Sequence, residues 1–211
     1  MRLKIVQVGE PVLRQRARPL LQEEIALPET QQLIVWMHET MRDAPGVGLA
    51  APQVGLPLQL AVIEDRPEYS KDIAAERLAE RERQSVPFQV LINPRIVGQS
   101  EEQAEFFEGC LSLSGFSALV KRSRQVAVEY WDERGQPRRL EAQGWYARIL
   151  QHEIDHLQGC LYIDRMESRS FMSIDNLSRY WKDIPLQSLR QALALDALNK
   201  VDAPNNVDAA E

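Results

Sequence analysis

The sequence predicts an α+β fold in which antiparallel β-sheets wrap around one central α-helix. Two observations predict this fold. Stretches of alternating or continuous apolar residues, typical of β-strands, occupy the middle of the chain. One helical stretch, 144–157, follows them and contains His152 and His156. Because histidines four residues apart lie on one helix face, this is the spacing of a metal-binding helix, and strands followed by such a helix indicate sheets built around it.

The first part of the chain begins with a turn at 9–14 that leads into an irregular stretch. A helix is predicted from Pro28 to the breaker sequence at 44–46, and we interpret His38 as a surface or partly buried member of it. The stretch 58–63 is a predicted strand. The charged insertion at 65–85 is predicted to form a short exposed helix with mobile flanks, and we assign no chemistry to it.

The strands before the central helix are predicted from their apolar patterning at 88–92, 104–107, 125–131 and 138–142, with a turn at 133–136 between the last two. After the central helix, 186–198 is predicted to be a second amphipathic helix. The polar tail 201–211 is predicted to fray. The sequence contains no internal repeat and no low-complexity segment, which favours one domain with a C-terminal extension.

Composition and charge exclude several classes of protein. With 211 residues, 44% of them hydrophobic, the chain is long enough to bury a sizeable core. Its formal net charge of -6 argues against general affinity for nucleic acid or anionic membranes. No apolar run suits a membrane span, and patterned sequence follows Met1 without a signal or transit peptide, so we expect a cytoplasmic protein. Cys110 and Cys160 are then expected to be reduced thiols, available as metal ligands.

The sequence His-Glu-x-x-His at 152–156 indicates hydrolase chemistry. Both imidazoles can reach one metal ion, while Glu153 points toward the same cavity and can move a proton. The alternative is a solvated amphipathic helix whose histidines have this spacing by chance. With only three histidines in the chain, the metal site is the better interpretation.

The third metal ligand decides the class of enzyme. The metzincin signature matches through Gly159, but Tyr162 stands where its last histidine should be. A gluzincin needs a downstream glutamate, and Glu167 follows too closely, without a second helix to hold it. The remaining candidate is Cys110, which follows a predicted strand and has Gly109 beside it; the alternative for this thiol is an inert buried cysteine.

Three separated motifs carry a resemblance to a known family. Residues 46–53 have the sequence GVGLAAPQ, residues 108–112 EGCLS, and residues 151–156 QHEIDH. Together, and in this order, they resemble peptide deformylases, over roughly residues 5–172. The resemblance implies the peptide deformylase fold, with a catalytic domain at 1–172 and an extension at 173–211. It also implies removal of the formyl group from the N-terminal formylmethionine of newly made polypeptides, with release of formate.

The resemblance also assigns the chemical roles. It implies that Cys110, His152 and His156 hold a divalent ion, ferrous iron by expectation, with zinc, nickel or cobalt able to occupy the same site. Three protein ligands leave one position for a water that the ion activates. Glu153 would take the proton of this water and deliver it to the departing amine. The side-chain amide of Gln53 and the backbone N–H of Leu111 would stabilise the oxyanion.

The expected substrates are N-formylmethionyl peptides. Gly46 and Gly48 lack the third glycine and the lysine of a phosphate-binding loop, and we expect them to let the backbone approach an extended peptide that pairs as an added strand. The methionine side chain is expected to enter an apolar pocket beside the metal. Asp155 and Gln151 are candidates for supporting the metal-binding histidines. The predicted substrate-binding residues are Gly46, Val47, Gly48, Glu108, Gly109, Trp145 and Ile149.

Two departures from the commonest bacterial pattern resemble the branch that includes organellar deformylases. Ser114 stands where many family members have proline, and residues 144–148, with the sequence GWYAR, precede the metal-binding motif. Because no transit peptide is apparent, we expect a bacterial cytoplasmic protein of that branch. It is expected to be a monomer or a dimer, and the ribosome near the nascent-chain exit is a candidate partner. We do not expect the protein to recognise specific nucleic-acid sequences or to bind membranes.

Two alternative functions remain at this point. A metalloprotease that cleaves internal peptide bonds would share Glu153 and both histidines, but it would need another third ligand and a cleft open at both ends. A non-catalytic binding module of the same fold would normally have lost Glu153, Gln53 or a metal ligand, and this chain retains all of them.

Overall fold

Two antiparallel sheets and a buried helix organise the chain, in a computed structural model that describes residues 1–196. The strands are β1 Gly48–Ala50, β2 Leu60–Asp65, β3 Val86–Gln99, β4 Gln103–Glu108, β5 Phe116–Ser123, β6 Gln125–Trp131, β7 Pro137–Gln143 and β8 Met172–Ser173. The α-helices are α1 Gln22–Ile25, α2 Pro28–Asp43, α3 Ala75–Glu80, α4 Gly144–Leu157, α5 Ile174–Asn176 and α6 Leu186–Ala192. Short 3-10 turns and one π-helical turn, Leu177–Trp181, connect them.

The five-stranded sheet has the order β1-β2-β3-β6-β7, and the three-stranded sheet has the order β4-β5-β8. All of these pairings are antiparallel. Helix α4 contacts β1, β2 and β3 of the larger sheet and β5 of the smaller one. The predicted α+β fold, with antiparallel sheets around a central helix, is therefore confirmed.

The first four residues of strand β2, 60–63, are all apolar because both faces of the strand are covered. Its residues alternate between two faces of the sheet, so Leu60 and Val62 pack in one buried cluster while Ala61 and Ile63 pack in another. Helix α2 covers the first face and α4 covers the second. A sheet covered on both faces selects a continuous apolar run rather than an alternating pattern.

Local sequence signals predict α2, α4 and β6 well. Helix α2 begins with Pro28, whose fixed φ suits the first turn, and it ends at Asp43 before the predicted breaker. Helix α4 and strand β6 have the predicted bounds. His38 lies in α2 as expected, partly buried, with its ring stacked on Phe88 and Nε2 at 3.1 Å from Glu64.

Several strand predictions were wrong. Strand β3 runs to Gln99, far beyond the predicted end at residue 92. Asn93 has a φ of 51°, and the pairing of β3 with β6 shifts register near it. The strand therefore continues through a β-bulge, whose sequence resembles the end of a strand. Strand β5 was missed because it contains charged residues, including Arg122, which is 4% exposed and is paired by residues of other elements. The short strands β1 and β8 were missed as well.

The C-terminal segment packs on the outside of the smaller sheet. Leu189 of α6 and Leu195 are buried against Leu119 of β5, and Arg190 pairs with Glu105 of β4. Helix α6 ends at Ala192, earlier than the predicted 198, and the predicted frayed tail at 201–211 lies outside the described residues. Within residues 1–196, no helix is long and apolar enough to cross a membrane.

Candidate metal centre

The three predicted metal ligands meet at one point in the structure. The possible ligand atoms, one from each of Cys110, His152 and His156, lie within 4.8 Å of one another. Sγ of Cys110 lies 3.3 Å from Nε2 of His156, and the two imidazole centroids are 5.0 Å apart across one turn of α4. Cys110 reaches the helix because it lies two residues after the end of β4 at Glu108. A thiolate with two imidazoles is a donor set that suits zinc or iron.

Glu108 orients one of these histidines. Its Oε2 lies 3.0 Å from Nδ1 of His152, so that Nε2 is the ring nitrogen left for a ligand. The carboxylate is 4% exposed and is held in turn by the guanidinium groups of Arg122 and Arg148. Burial opposes ionisation of Glu108, but the hydrogen bonds from His152 and Arg122 outweigh it and hold its pKa well below the usual range.

The electrostatics of the histidines fit a bound cation. Burial lowers the pKa of His156 well below its ordinary value, which keeps the imidazole neutral, the form that binds metal. For His152, burial acts in the same direction, but contacts with the Cys110 thiol and the Glu108 carboxylate raise the pKa overall. His152 therefore lies between two acidic groups, and a cation held by Cys110, His152 and His156 would take the place of the proton on its ring.

Glu153 is buried beside the ligands with an unpaired oxygen. The residue is 3% exposed, and its Oε2 has no hydrogen-bond partner among residues 1–196. Burial is the main reason that the pKa of this carboxyl is raised to about 7. A carboxyl group that titrates near neutral pH is suited to accept and donate a proton in turn.

Gln53 directs its amide into the same site. Its Oε1 accepts a hydrogen bond from the backbone N–H of Ala50 at 2.8 Å, which fixes the amide so that Nε2 points toward Cys110 Sγ at 3.4 Å and Ser112 Oγ at 3.3 Å. The residue is 1% exposed, in a 3-10 turn directly after β1. Leu111 follows Cys110 and lines the same cavity.

A cavity of about 470 Å³ opens onto these groups. All predicted site residues except His156 line it, including the apolar candidates Val47, Trp145 and Ile149. Gly46 and Gly48 also have a packing role here, which their sequence motif did not predict. A Cβ on Gly46 would lie 2.8 Å from Cδ1 of Leu111, and a Cβ on Gly48 would overlap the carboxylate of Glu153.

Sequence reasoning missed the arginines that support the centre. Arg148 lies four residues before His152 on α4, and therefore one turn away on the same helix face. An arginine at this position could have predicted that a carboxylate lies near His152. Arg122 carried no such signal, because its strand was not predicted. Asp155 contacts Arg122 and Arg165, and within residues 1–196 it is linked to His152 through Arg122 and Glu108. Gln151 bonds to the backbone of Ser123 and Ala147 instead of to the histidines.

Comparison with known proteins identifies the family. The family model for polypeptide deformylase matches residues 2–171. The chain belongs to the polypeptide deformylase family. This deformylase-family chain is 45% identical over 183 residues to chloroplastic/mitochondrial peptide deformylase 1A of Arabidopsis thaliana, covering 87% of the chain and 66% of that relative. It is 47% identical over 184 residues to peptide deformylase 1 of Bifidobacterium longum, covering 87% and 82%.

Solved deformylase structures share the fold. The Met-Ala-Ser-bound class I type b peptide deformylase of Acinetobacter baumannii matches with a TM-score of 0.70 and 32% identity, over 79% of this chain and 99% of that one. The Thermotoga maritima peptide deformylase matches with a TM-score of 0.64 and 35% identity, over 79% and 98%. The match spans slightly less than two thirds of the Arabidopsis relative's length, whereas it covers most of the bacterial one.

Proposed function

We propose that this deformylase-family chain is a metal-dependent hydrolase that removes the formyl group from the N-terminal formylmethionine of new polypeptides and releases formate. One observation carries the proposal: the ligand atoms of Cys110, His152 and His156 converge beside the buried, unpaired oxygen of Glu153, at a cavity in the chain's deformylase-family fold. A metal site that activates water, with a carboxylate beside it that transfers protons, is suited to the hydrolysis of an amide.

Cys110, His152 and His156 would hold the metal ion, and Glu108 would keep His152 in the tautomer that leaves Nε2 free. When bound, the ion supplies Lewis acidity and activates water at neutral pH. Glu153 accepts the proton of the attacking water, and it later donates that proton to the amine nitrogen that leaves. Its burial beside the proposed ligands, with Oε2 unpaired among residues 1–196, supports this role.

The Nε2 group of Gln53 would donate a hydrogen bond to the oxygen of the formyl group as negative charge develops on it, with the backbone N–H of Leu111 as a second donor. The contact of Gln53 Oε1 with Ala50 supports this role, because it fixes the amide before substrate arrives. Loss of one such donor typically slows the reaction by about 100-fold to 1,000-fold.

The substrate would bind as an extended peptide along β1. This strand is an edge strand of the five-stranded sheet, so its outer backbone groups can pair with an added strand. Val47, Trp145 and Ile149 would form the apolar pocket for the methionine side chain, and Gly109 would leave room for the peptide beside Cys110. The Met-Ala-Ser bound to the Acinetobacter baumannii relative is a peptide of the kind that this reaction releases.

The deciding experiment measures formate release from formyl-Met-Ala-Ser by protein purified without oxygen, together with its metal content. We expect Glu153→Ala to retain metal and to lose at least about 100-fold in rate, the usual contribution of a general acid-base group. Cys110→Ala should lose metal and activity together. His38→Ala, which removes the chain's only histidine outside the site, should retain both. No formate from metal-loaded wild type would contradict the proposal and favour the metalloprotease or binding-module alternative.

We further propose ferrous iron as the resident ion, with zinc, nickel and cobalt as substitutes. Ferrous iron held partly by sulfur reacts with oxygen, whereas nickel is less susceptible. The iron-loaded protein should therefore lose activity in air much faster than the nickel-loaded protein. Equal lifetimes of the two forms would contradict the assignment of iron.

The partners and setting of the reaction follow from the proposed substrate. We infer that the chain acts in the bacterial cytoplasm on nascent chains near the ribosomal exit, with residues 1–172 as the catalytic domain and 173–211 as an extension. The family match, which ends at residue 171, supports this division. Co-sedimentation of the full chain with ribosomes tests the association, and light scattering decides between monomer and dimer.

A further inference from the structure

The charged insertion at 65–85 reaches the substrate cavity through its last residues. Helix α3 occupies its middle, and Arg83, which follows the helix, lines the cavity. Two parallel hydrogen bonds of 2.8 Å join the Arg83 guanidinium to the carboxylate of Asp65, at the end of β2. Both side chains are almost fully buried, with exposed fractions of 10% and 2%.

Arg83 packs on Trp145, a residue of the proposed methionine pocket. Its guanidinium carbon lies 5.1 Å from the centroid of the Trp145 ring, and that of Arg81 lies 5.4 Å from the same ring. Contacts of this kind between arginine and indole are attractive and gain strength away from water. The insertion therefore holds the indole at the start of α4 in place.

The end of the insertion is anchored on several sides. The backbone N–H of Arg83 donates to the carbonyl of Leu78 at 2.8 Å. Glu82 adopts a φ of 47° and forms an ion pair with Arg124. It also packs so closely on Gly144, the first residue of α4, that a Cβ on this glycine would overlap it. These contacts argue against mobile flanks at this end of the insertion, and they fix Arg83 relative to α4.

We propose that Arg83, held by Asp65, is a specificity-determining residue that forms one wall of the methionine pocket together with Trp145. This inference rests on the proposed function. The ion pair with Asp65 neutralises the charge, so the methylene stem of Arg83 can border an apolar cavity. A wall of fixed position limits the size of the side chain that enters. The pocket thus accepts the slender methionine side chain and rejects bulkier aromatic ones.

The test compares two double variants that differ only in the stem. Asp65→Asn/Arg83→Ala and Asp65→Asn/Arg83→Met both remove the buried charges, which avoids an unpaired Asp65. The measured quantity is the ratio of kcat/KM for formyl-Met-Ala-Ser to that for formyl-Phe-Ala-Ser. We expect the alanine variant to lower this ratio by about tenfold or more, the usual effect of a changed apolar pocket, and the methionine variant to preserve it.

Arg77→Ala is the matched control, because Arg77 lies in the same insertion but pairs with Asp183 of the C-terminal segment. It should leave the ratio unchanged. An unchanged ratio in the alanine variant would overturn the proposal. An equal fall of the ratio in both double variants would overturn it too, because that result indicates a general loosening of the insertion. The indole N–H resonance of Trp145 provides a readout of packing, and it should shift in the alanine variant more than in Arg77→Ala.

Failure of the proposed function remains distinguishable from failure of this inference. If the metal-loaded wild type releases no formate, the proposed function is wrong, and calorimetry then compares the binding of Met-Ala-Ser and Phe-Ala-Ser to the same set of variants. If the wild type and the methionine variant bind Met-Ala-Ser more tightly than Phe-Ala-Ser and the alanine variant does not, the role of Arg83 as a pocket wall is supported. Equal binding of both peptides by the wild type would overturn it.

Discussion

The carboxylate of Glu108 lies 3.0 Å from Nδ1 of His152, and this contact connects the metal centre to the interior of the protein. Glu108 is bound by Arg122, and Arg122 also contacts Asp155 on α4. His152, a proposed metal ligand, is thus held by a chain of buried charges that joins β4 and β5 of the smaller sheet to the central helix. Supporting contacts of this kind fix the ring orientation of a ligand and increase its basicity.

Replacing Glu108 by glutamine should weaken metal binding. The amide removes the negative charge beside His152, and loss of such a partner typically costs about 10-fold to 100-fold in metal affinity. Competition with a chelator measures the dissociation constant. Glu105→Gln is the matched control, since Glu105 lies on the same strand but pairs with Arg190 away from the site. Equal affinity in Glu108→Gln and in the control would contradict this role.

Gly48→Ala should abolish most of the activity without removing the metal ligands. The new Cβ would occupy the space of the Glu153 carboxylate, so that Glu153 has to move out of the cavity. We expect a fall in kcat of about 100-fold or more, as for loss of a general acid-base group, with metal content retained. Gly98→Ala provides the comparison, because its Cβ would meet only Ala127 at an ordinary 3.5 Å. Similar kcat values in the two variants would refute this steric explanation.

Arg148→Met should destabilise the fold strongly. The guanidinium donates to Glu108, to the buried carbonyl of Val120 and to the partly buried carbonyl of Ala104, and methionine donates to none of them. Glu108 keeps its contacts with Arg122 and His152, so the expected cost is that of unpaired polar acceptors, about 1–3 kcal/mol. Urea denaturation measures the loss in the free energy of unfolding. Arg95→Met breaks an exposed pair with Glu129 and should cost less than about 1 kcal/mol. A loss for Arg148→Met no larger than this would contradict the prediction.

The ion pair between Glu64 and Arg42 should make stability depend on pH. Hydrogen bonds from Arg42, with a further one from His38, outweigh burial and lower the pKa of Glu64 from 4.5 to about 2. Since the folded state binds the proton more weakly, this stabilisation is complete above about pH 4.5 and is lost as the pH falls toward 2. Glu64→Gln should therefore cost about 1–3 kcal/mol at pH 6, and its difference from wild type should shrink below pH 4.5.

Urea midpoints at several pH values measure this difference. The exposed Glu101 provides the control, and Glu101→Gln should stay within about 0.5 kcal/mol of wild type throughout. A difference between Glu64→Gln and wild type that stays constant from pH 6 to the acid limit of folding would show that the contact does not depend on the charge of Glu64.

Elements with strong local signals could be predicted from the sequence. Helix α4 follows from its helical pattern and the spacing of His152 and His156, and strand β6 follows from its apolar patterning before the turn at 133–136. Strand β5 could not be predicted, because its buried Arg122 is stabilised only by Glu108 and Asp155, which come from β4 and α4. A charged residue inside a strand looks like a loop until its partners are known.

The sequence by itself determined the helix that carries His152 and His156 and predicted these residues as metal ligands, because their spacing on a helix is a local property. Only the tertiary structure decided how distant residues meet. It brings Sγ of Cys110 to within 3.3 Å of His156, although the two residues are 46 positions apart, and it places Arg83 of the insertion on Trp145. Such contacts depend on sheet register and on the packing of whole elements, which no short stretch of sequence encodes.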